Sequence, residues 1–169
     1  SFAEQYLAEV SAIAGELDTA VVDTMAEELA RVRASGGRLF ILGVGGGAGN
    51  ATHAVNDFRK LCDLESYAPT DNVSELSARI NDEGWDTVFA AWLAGSRLRR
   101  EDAVFVFSVG GGSLEKNISA NLVRAGYDVV AGDACADRED AVSACGARWG
   151  GTGAEVAAVA EVLICLLYT

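Results

Sequence analysis

The chain has 169 residues, half of them apolar, with a single proline and a formal net charge of −12. That length and apolar content suit one folded domain burying about two-thirds of its unfolded surface, and they exclude a linker or a disordered tail. The acidic balance argues against nucleic acid and against an anionic membrane surface as partners, so any phosphate site must rest on local backbone dipoles.

Residues 2–34 place apolar side chains at spacings of three and four: Phe2, Tyr6, Val10, Ile13 and Leu17, then Val21, Val22, Met25, Leu29 and Val32. The pattern predicts a helical N-terminal extension over residues 1–35, stopped by Ser35-Gly36-Gly37. Such an extension caps a sheet or joins subunits, and periodicity does not choose between the two. RLFIL at 38–42 predicts a buried strand, and Ala48 to Leu61 a helix. A short extended piece at Ser66–Ala68 runs into Pro69, and helical patterns follow at about 73–81 and 85–97. AVFVF at 103–107 predicts a second buried strand, Ser113 to Arg124 a helix closing at Gly126, and DVVA at 128–131 another strand. A polar stretch then leads to EVLICLLY at 161–168, the last predicted strand. Short continuous apolar strands alternating with helices mean a parallel sheet covered on both faces. The expected fold is therefore α/β, a three-layer α/β/α sandwich of flavodoxin-like or Rossmann-like type. Residues 36–169 form its core, and residues 1–169 make one domain.

Cys62, Cys135, Cys145 and Cys165 show neither a CxxC pair nor metal-finger spacing. Cys62 and Cys165 sit in apolar runs, where a free thiol behaves as a small hydrophobe. A reducing, cytoplasmic setting is expected. No stretch approaches the roughly 18 apolar residues of a membrane span, and no signal-peptide pattern opens the chain.

Two segments echo each other: ILGVGGGAGN at 41–50 and VFSVGGGSLEKN at 106–117. Each is an apolar strand that feeds a triple glycine and then a helix opening. Glycine lets backbone N–H groups approach a phosphate, and the helix dipole favours its charge. Two such loops suggest one phosphorylated ligand gripped from two sides. Ser108 and Ser113 add hydroxyl donors to the second, and Ser113 also stands where a helix N-cap belongs. Gly43-Val44-Gly45-Gly46-Gly47-Ala48 fits the dinucleotide pattern GxGxxG/A as well, with Asp63 or Glu65 offered to a ribose, but that reading leaves the second loop unexplained.

The stretch from Gly43 to His53 reads GxGGxAxxAxH, and with the later strand–Ser-x-x-Gly-x-Ser loop it resembles the SIS (sugar isomerase) domain family. Within that family the chain looks closest to the sedoheptulose-7-phosphate isomerase (phosphoheptose isomerase) branch. Asn81-Asp82-Glu83-Gly84-Trp85 is similar to that branch's Asn-Asp-aromatic-Gly-aromatic segment. The resemblance implies a phosphate among Gly45, Gly46, Gly47, Ser108, Val109, Gly110, Gly111 and Ser113, with the sugar toward His53 and Asp82. It implies a ketose–aldose isomerisation through an enediol, in which one group takes a carbon-bound proton and another handles the carbonyl oxygen. The family's His and Glu four residues apart become His53 and Asp57 here, one turn apart on one helix face. Sites in this family are built at subunit contacts, so a homo-oligomer, dimer or tetramer, is implied.

The chain also departs from the pattern. The usual serines of the two loops are Gly47 and Gly110, which removes two hydroxyl donors. In the resembled family a final helix carries a Gln and a His that complete the catalytic site and, in some members, hold zinc. The residues here run to Thr169, just past the last predicted strand, with one histidine among them. The resemblance leaves zinc open as a cofactor, but His53 and Asp57 alone are two ligands short of a zinc site, so the ligand set here is incomplete. Either residues beyond Thr169 or other groups complete the site, or the chain binds without turnover. A non-catalytic sugar-phosphate sensor or oligomeric adaptor is the alternative to the isomerase.

Overall fold

Leu39, Phe40, Ile41 and Leu42 are all buried in succession, which only a strand covered on both faces allows. The computed structural model describes residues 1–17, 19–108, 118–127, 129–132, 139–144, 146–149 and 162–166. The strands are β1 (Leu39–Gly43), β2 (Ser66–Tyr67), β3 (Ala103–Ser108), β4 (Val129–Gly132), β5 (Arg148–Trp149) and β6 (Val162–Leu166). They form a six-stranded, wholly parallel sheet in the order β2-β1-β3-β6-β4-β5.

The helices are α1 (Phe2–Glu16), α2 (Thr19–Ala34), α3 (Gly46–Leu61), α4 (Val73–Glu83), α5 (Val88–Gly95), α6 (Ile118–Arg124) and α7 (Glu139–Ala144). Alternation along β1 and β3 sorts their side chains onto two faces. Phe40, Leu42, Val104 and Val106 pack against Phe89, Trp92 and Leu93 of α5 and Leu122 of α6. Leu39, Ile41 and Phe105 pack against Ala51 and Val55 of α3, with Met25, Leu29 and Val32 of α2 behind them. Helices therefore cover both faces, and the three layers follow. Asn121, 3% exposed, joins α6 to α5 by donating to the Trp85 carbonyl at 3.0 Å and accepting from the Ala90 N–H at 3.2 Å.

Several element boundaries differ from the sequence reading. The helix-period extension is two helices, because Leu17 turns extended (φ −63°, ψ 128°) at the end of α1. Only α2 caps the sheet, since α1 buries no residue. Helix α5 is shorter than 85–97: Gly84 at φ 92° closes α4, and Arg97 at φ 53° closes α5. Helix α7 and strand β5 fall within the polar stretch to which the sequence assigned no element. Cys62 is exposed at the C-cap of α3 rather than packed as a small hydrophobe. Among the described residues no helix is long and apolar enough to cross a membrane.

A buried ion pair ties the N-terminal ends of the neighbouring strands β1 and β3. The Asp102 carboxylate accepts from the Arg38 side chain (Nη2 to Oδ2, 2.6 Å), the Arg38 N–H (2.8 Å) and the Arg99 N–H (2.8 Å). Arg38 also donates to the carbonyls of Ser96 and Arg97, which binds the end of α5 into the same knot. Burial alone would push the Asp102 carboxyl up, but the bonds from Arg38 and Arg99 outweigh it and bring it down to about 2. A depressed carboxyl stabilises the fold above its unfolded value near 4, and that contribution is lost as pH falls toward 2. Asp102→Ala, which strands the Arg38 guanidinium, is expected to lower the unfolding free energy by about 3 kcal/mol in urea titrations at neutral pH. The variant should also lack part of the wild-type loss of stability between about pH 4 and pH 2.

Candidate functional site

The order of strands locates a crevice before any side chain is considered. From β1 the chain moves outward to β2, then returns across to β3 on the other side, so the winding reverses between β1 and β3. Beyond the C-terminal ends of two such strands the connecting segments diverge and leave a cleft. Gly43 pairs with Phe107, so the two strands end level with each other.

The turn from β1 into α3 fills one side of that cleft. Gly45 is the N-cap of α3 with φ 58° and ψ −121°, a backbone conformation that L side chains resist. Gly47 is buried, and a β-carbon there would fall well inside contact distance of the Phe107 carbonyl oxygen. This position holds no side chain because the first turn of α3 lies directly on the backbone of β3. The serine usual here in the resembled family therefore has no room on this backbone.

The N–H of Gly47 is taken by the Val44 carbonyl at 3.0 Å and that of Gly49 by Gly45 at 3.2 Å. The N–H groups of Gly45, Gly46 and Ala48 have no protein acceptor among the described residues. No acidic residue lies in the first turn of α3 to compete for them. Unpaired amides at the positive end of a 16-residue helix favour an anion.

Along the same helix, Gly47, Ala51 and Val55 form the buried stripe. His53 and Asp57 lie on the opposite side, with Nε2 of the imidazole 3.3 Å from Oδ2 of the carboxylate. The two side chains are exposed, at 78% and 48%. Thr52 donates to Asp71 at 2.7 Å and lies 3.3 Å from Thr70, which ties the turn before His53 to the 3-10 turn Pro69–Asp71. Thr52, Thr70 and Asp71 were not singled out from the sequence, where only the Pro69 turn signal hinted that a neighbouring segment returns to α3.

Of the other expected residues, Ser108 is the half-buried last residue of β3, immediately after Phe107. Asp82 lies in the last turn of α4 and accepts from the Asn81 side chain at 2.8 Å. Among the described residues no hydrogen bond or ion pair joins Asp82 to His53 or Asp57. Val109, Gly110, Gly111 and Ser113 lie outside the described residues.

Placement bears on the nicotinamide reading. Asp63 and Glu65 precede β2, which runs parallel to β1, so they lie at the pole of the sheet opposite the glycine turn. An acid that holds a ribose must stand at the other end of that strand, so the nicotinamide reading fails here. Glu65 instead accepts from the Tyr67 hydroxyl at 2.7 Å. For zinc, no group of three or more His, Cys, Asp or Glu side chains converges among the described residues. His53 and Asp57 by themselves do not make a four-ligand centre.

No protein-family model and no curated relative matches the sequence. Solved structures do match. The phosphoheptose isomerase GmhA from Neisseria gonorrhoeae aligns with a TM-score of 0.66 at 20% identity, over 100% of this chain and 87% of that one. A phosphoheptose isomerase from Francisella tularensis aligns with a TM-score of 0.59 at 20% identity, over 80% of this chain and 77% of that one. The chain shares the fold of these two phosphoheptose isomerase structures.

Gly47→Ala is expected to cost about 2 kcal/mol, because backbone rather than a flexible side chain blocks the new methyl. Gly46→Ala, which meets open space one residue earlier, should be near neutral or slightly stabilising. Thermal unfolding of the two variants side by side measures the difference.

Proposed function

We propose that this chain binds a sugar phosphate beyond the C-terminal ends of β1 and β3 and interconverts sedoheptulose 7-phosphate and a heptose 7-phosphate. One observation carries the reading: the open amides at the start of α3 and the His53–Asp57 pair belong to the same helix. His53 stands seven residues after Gly46, about 10 Å along the axis. An extended seven-carbon chain is of comparable length, so a phosphate on C7 at the amides leaves C1 and C2 near the imidazole.

In this reading the amides of Gly45, Gly46 and Ala48 hold the phosphate, with Gly47 shaping the turn. Ser108, Val109, Gly110, Gly111 and Ser113 close on the phosphate from the second strand, and Asp82 orients sugar hydroxyls. The imidazole of His53 takes the proton from C1, which leaves the negative charge on O2 as an enediolate; the O1 hydroxyl proton then passes to O2, and the imidazolium returns its proton to C2 as C1 becomes the aldehyde. Asp57 balances the imidazolium charge while the proton is held.

The exposure of the His53–Asp57 pair favours a subunit partner that covers it, and the exposed apolar stripe of α1 supplies a contact surface. Phe2, Tyr6, Leu7, Val10 and Ile13 are 84, 56, 62, 45 and 51% exposed on a helix that buries nothing in its own chain. We therefore propose a homo-oligomer, dimer or tetramer, joined through α1. A cytoplasmic setting goes with this reading, because the exposed Cys62 thiol stays reduced there.

Purified chain should convert sedoheptulose 7-phosphate in a coupled assay, and His53→Ala or Asp57→Asn should lower kcat/KM by about 10²-fold or more. Calorimetric binding without turnover would instead select a sensor or adaptor, and no heat at millimolar sugar phosphate would remove the site altogether. Light scattering after gel filtration should show an oligomer that Tyr6→Glu with Ile13→Glu reduces to monomers, since burying a charge without a partner is costly.

A further inference from the structure

At the other end of the sheet, residues 96–102 carry the chain from α5 into β3. With Leu98, Asp102 and Tyr127, the side chains of Arg97, Arg99 and Arg100 bound a cavity of about 360 Å³ there. Ala103 opens β3 and Ser108 closes it, so the cavity and the glycine turn are separated by roughly 17 Å of strand. Nothing in the proposed isomerase reading uses this pole.

The charge of the cavity is unusual for this molecule. The chain has 13 Lys and Arg against 25 Asp and Glu, yet three arginines fall within four consecutive residues here. Asp102 pairs with only one of them, Arg99, and Arg38 and two backbone N–H groups already share its carboxylate. Arg99 gives that carboxylate one further contact at 3.3 Å and donates to the Gly36 carbonyl. The guanidinium groups of Arg97 and Arg100 have no acceptor among the described residues.

The backbone adds an independent sign that the Arg97 side chain is kept for what it presents. Helix α5 ends in a paired cap, with the Leu98 N–H on the Leu93 carbonyl (3.2 Å) and the Arg97 N–H on Ala94 (3.0 Å). Arg97 occupies the position of that motif where glycine is preferred, at φ 53°. Glycine would serve the fold better there, and arginine brings a guanidinium to the cavity rim instead.

We propose that this cavity is a second binding site, for a small anion carrying two or more phosphates. Guanidinium forks match phosphate oxygens in pairs, and three of them around one cavity exceed what a single phosphate needs. Leu98 and Tyr127 form an apolar wall that can hold the uncharged part of such a ligand. An extended polyanion such as nucleic acid is disfavoured, because beyond the cavity it meets a surface of net negative charge.

Titration of the intact chain with inorganic tripolyphosphate at low ionic strength tests the site. Saturable binding is expected, weakened about tenfold by Arg100→Ala and by Arg97→Gly. Arg97→Gly should at the same time raise the melting temperature by a few degrees, as the glycine suits the helix end. Loss of affinity in a variant that is more stable separates a ligand contact from a folding role. The proposal is overturned by an absence of saturable binding up to millimolar tripolyphosphate, or by both variants binding as the wild type does. Displacement of tripolyphosphate by sedoheptulose 7-phosphate would also overturn it, since that places the anion at the glycine turn.

Discussion

The approach of the first turn of α3 to the backbone of β3 is the constraint from which the rest of the candidate site follows. Gly43 and Gly47 leave no room for side chains between β1, α3 and the Phe107 carbonyl. The helix is therefore seated with its N-terminus at the reversal between β1 and β3, where the amides of Gly45, Gly46 and Ala48 have no protein acceptor among the described residues. Its rotation is set by the same contact. Gly47, Ala51 and Val55 follow one another at spacings of four and turn inward. At about 100° per residue, His53 and Asp57 must then lie on the outward side. The open amides and the His53–Asp57 pair are two consequences of one packing decision.

The opposite pole is held by charge instead of by close backbone contact. The Arg38–Asp102 pair joins the starts of β1 and β3 to the end of α5, and every strong donor of Arg38 finds a protein acceptor there. A parallel sheet covered by helices has two unlike ends, and this one shows the difference in its chemistry. One end presents backbone N–H groups and the other a group of guanidinium side chains. In a chain of net charge −12 neither end draws on a global positive field, so the proposed anion sites depend on short-range contacts.

The two N-terminal helices show how one periodicity can have two outcomes. Helices α1 and α2 carry apolar residues at similar spacings, but only Met25, Leu29 and Val32 of α2 reach the sheet. The extended turn at Leu17 carries α1 away, and its aromatic and aliphatic stripe stays in solvent. An amphipathic face is a demand for a partner, and the demand alone does not say whether the partner is the same chain or another.

Much of the architecture was legible in the residues. RLFIL and AVFVF read as doubly covered strands, the glycine cluster at 45–47 read as a strand-to-helix turn, and i,i+4 spacing put His53 beside Asp57 wherever α3 ended up. Other features were decided by tertiary contact. Gly47 read as a missing hydroxyl until the Phe107 carbonyl showed that no side chain fits there. Asp63 and Glu65 read as candidates for a ribose until the direction of β2 put them at the wrong pole. The Arg97–Arg100 run carried no periodic signal and became a cavity only when α5, β3 and Tyr127 met. Local pattern reports which side chains share a face, because rise and turn per residue are properties of the backbone itself. Which pole of the sheet a residue reaches depends on strand order and direction, and those are chosen by the packing of segments far apart in the chain.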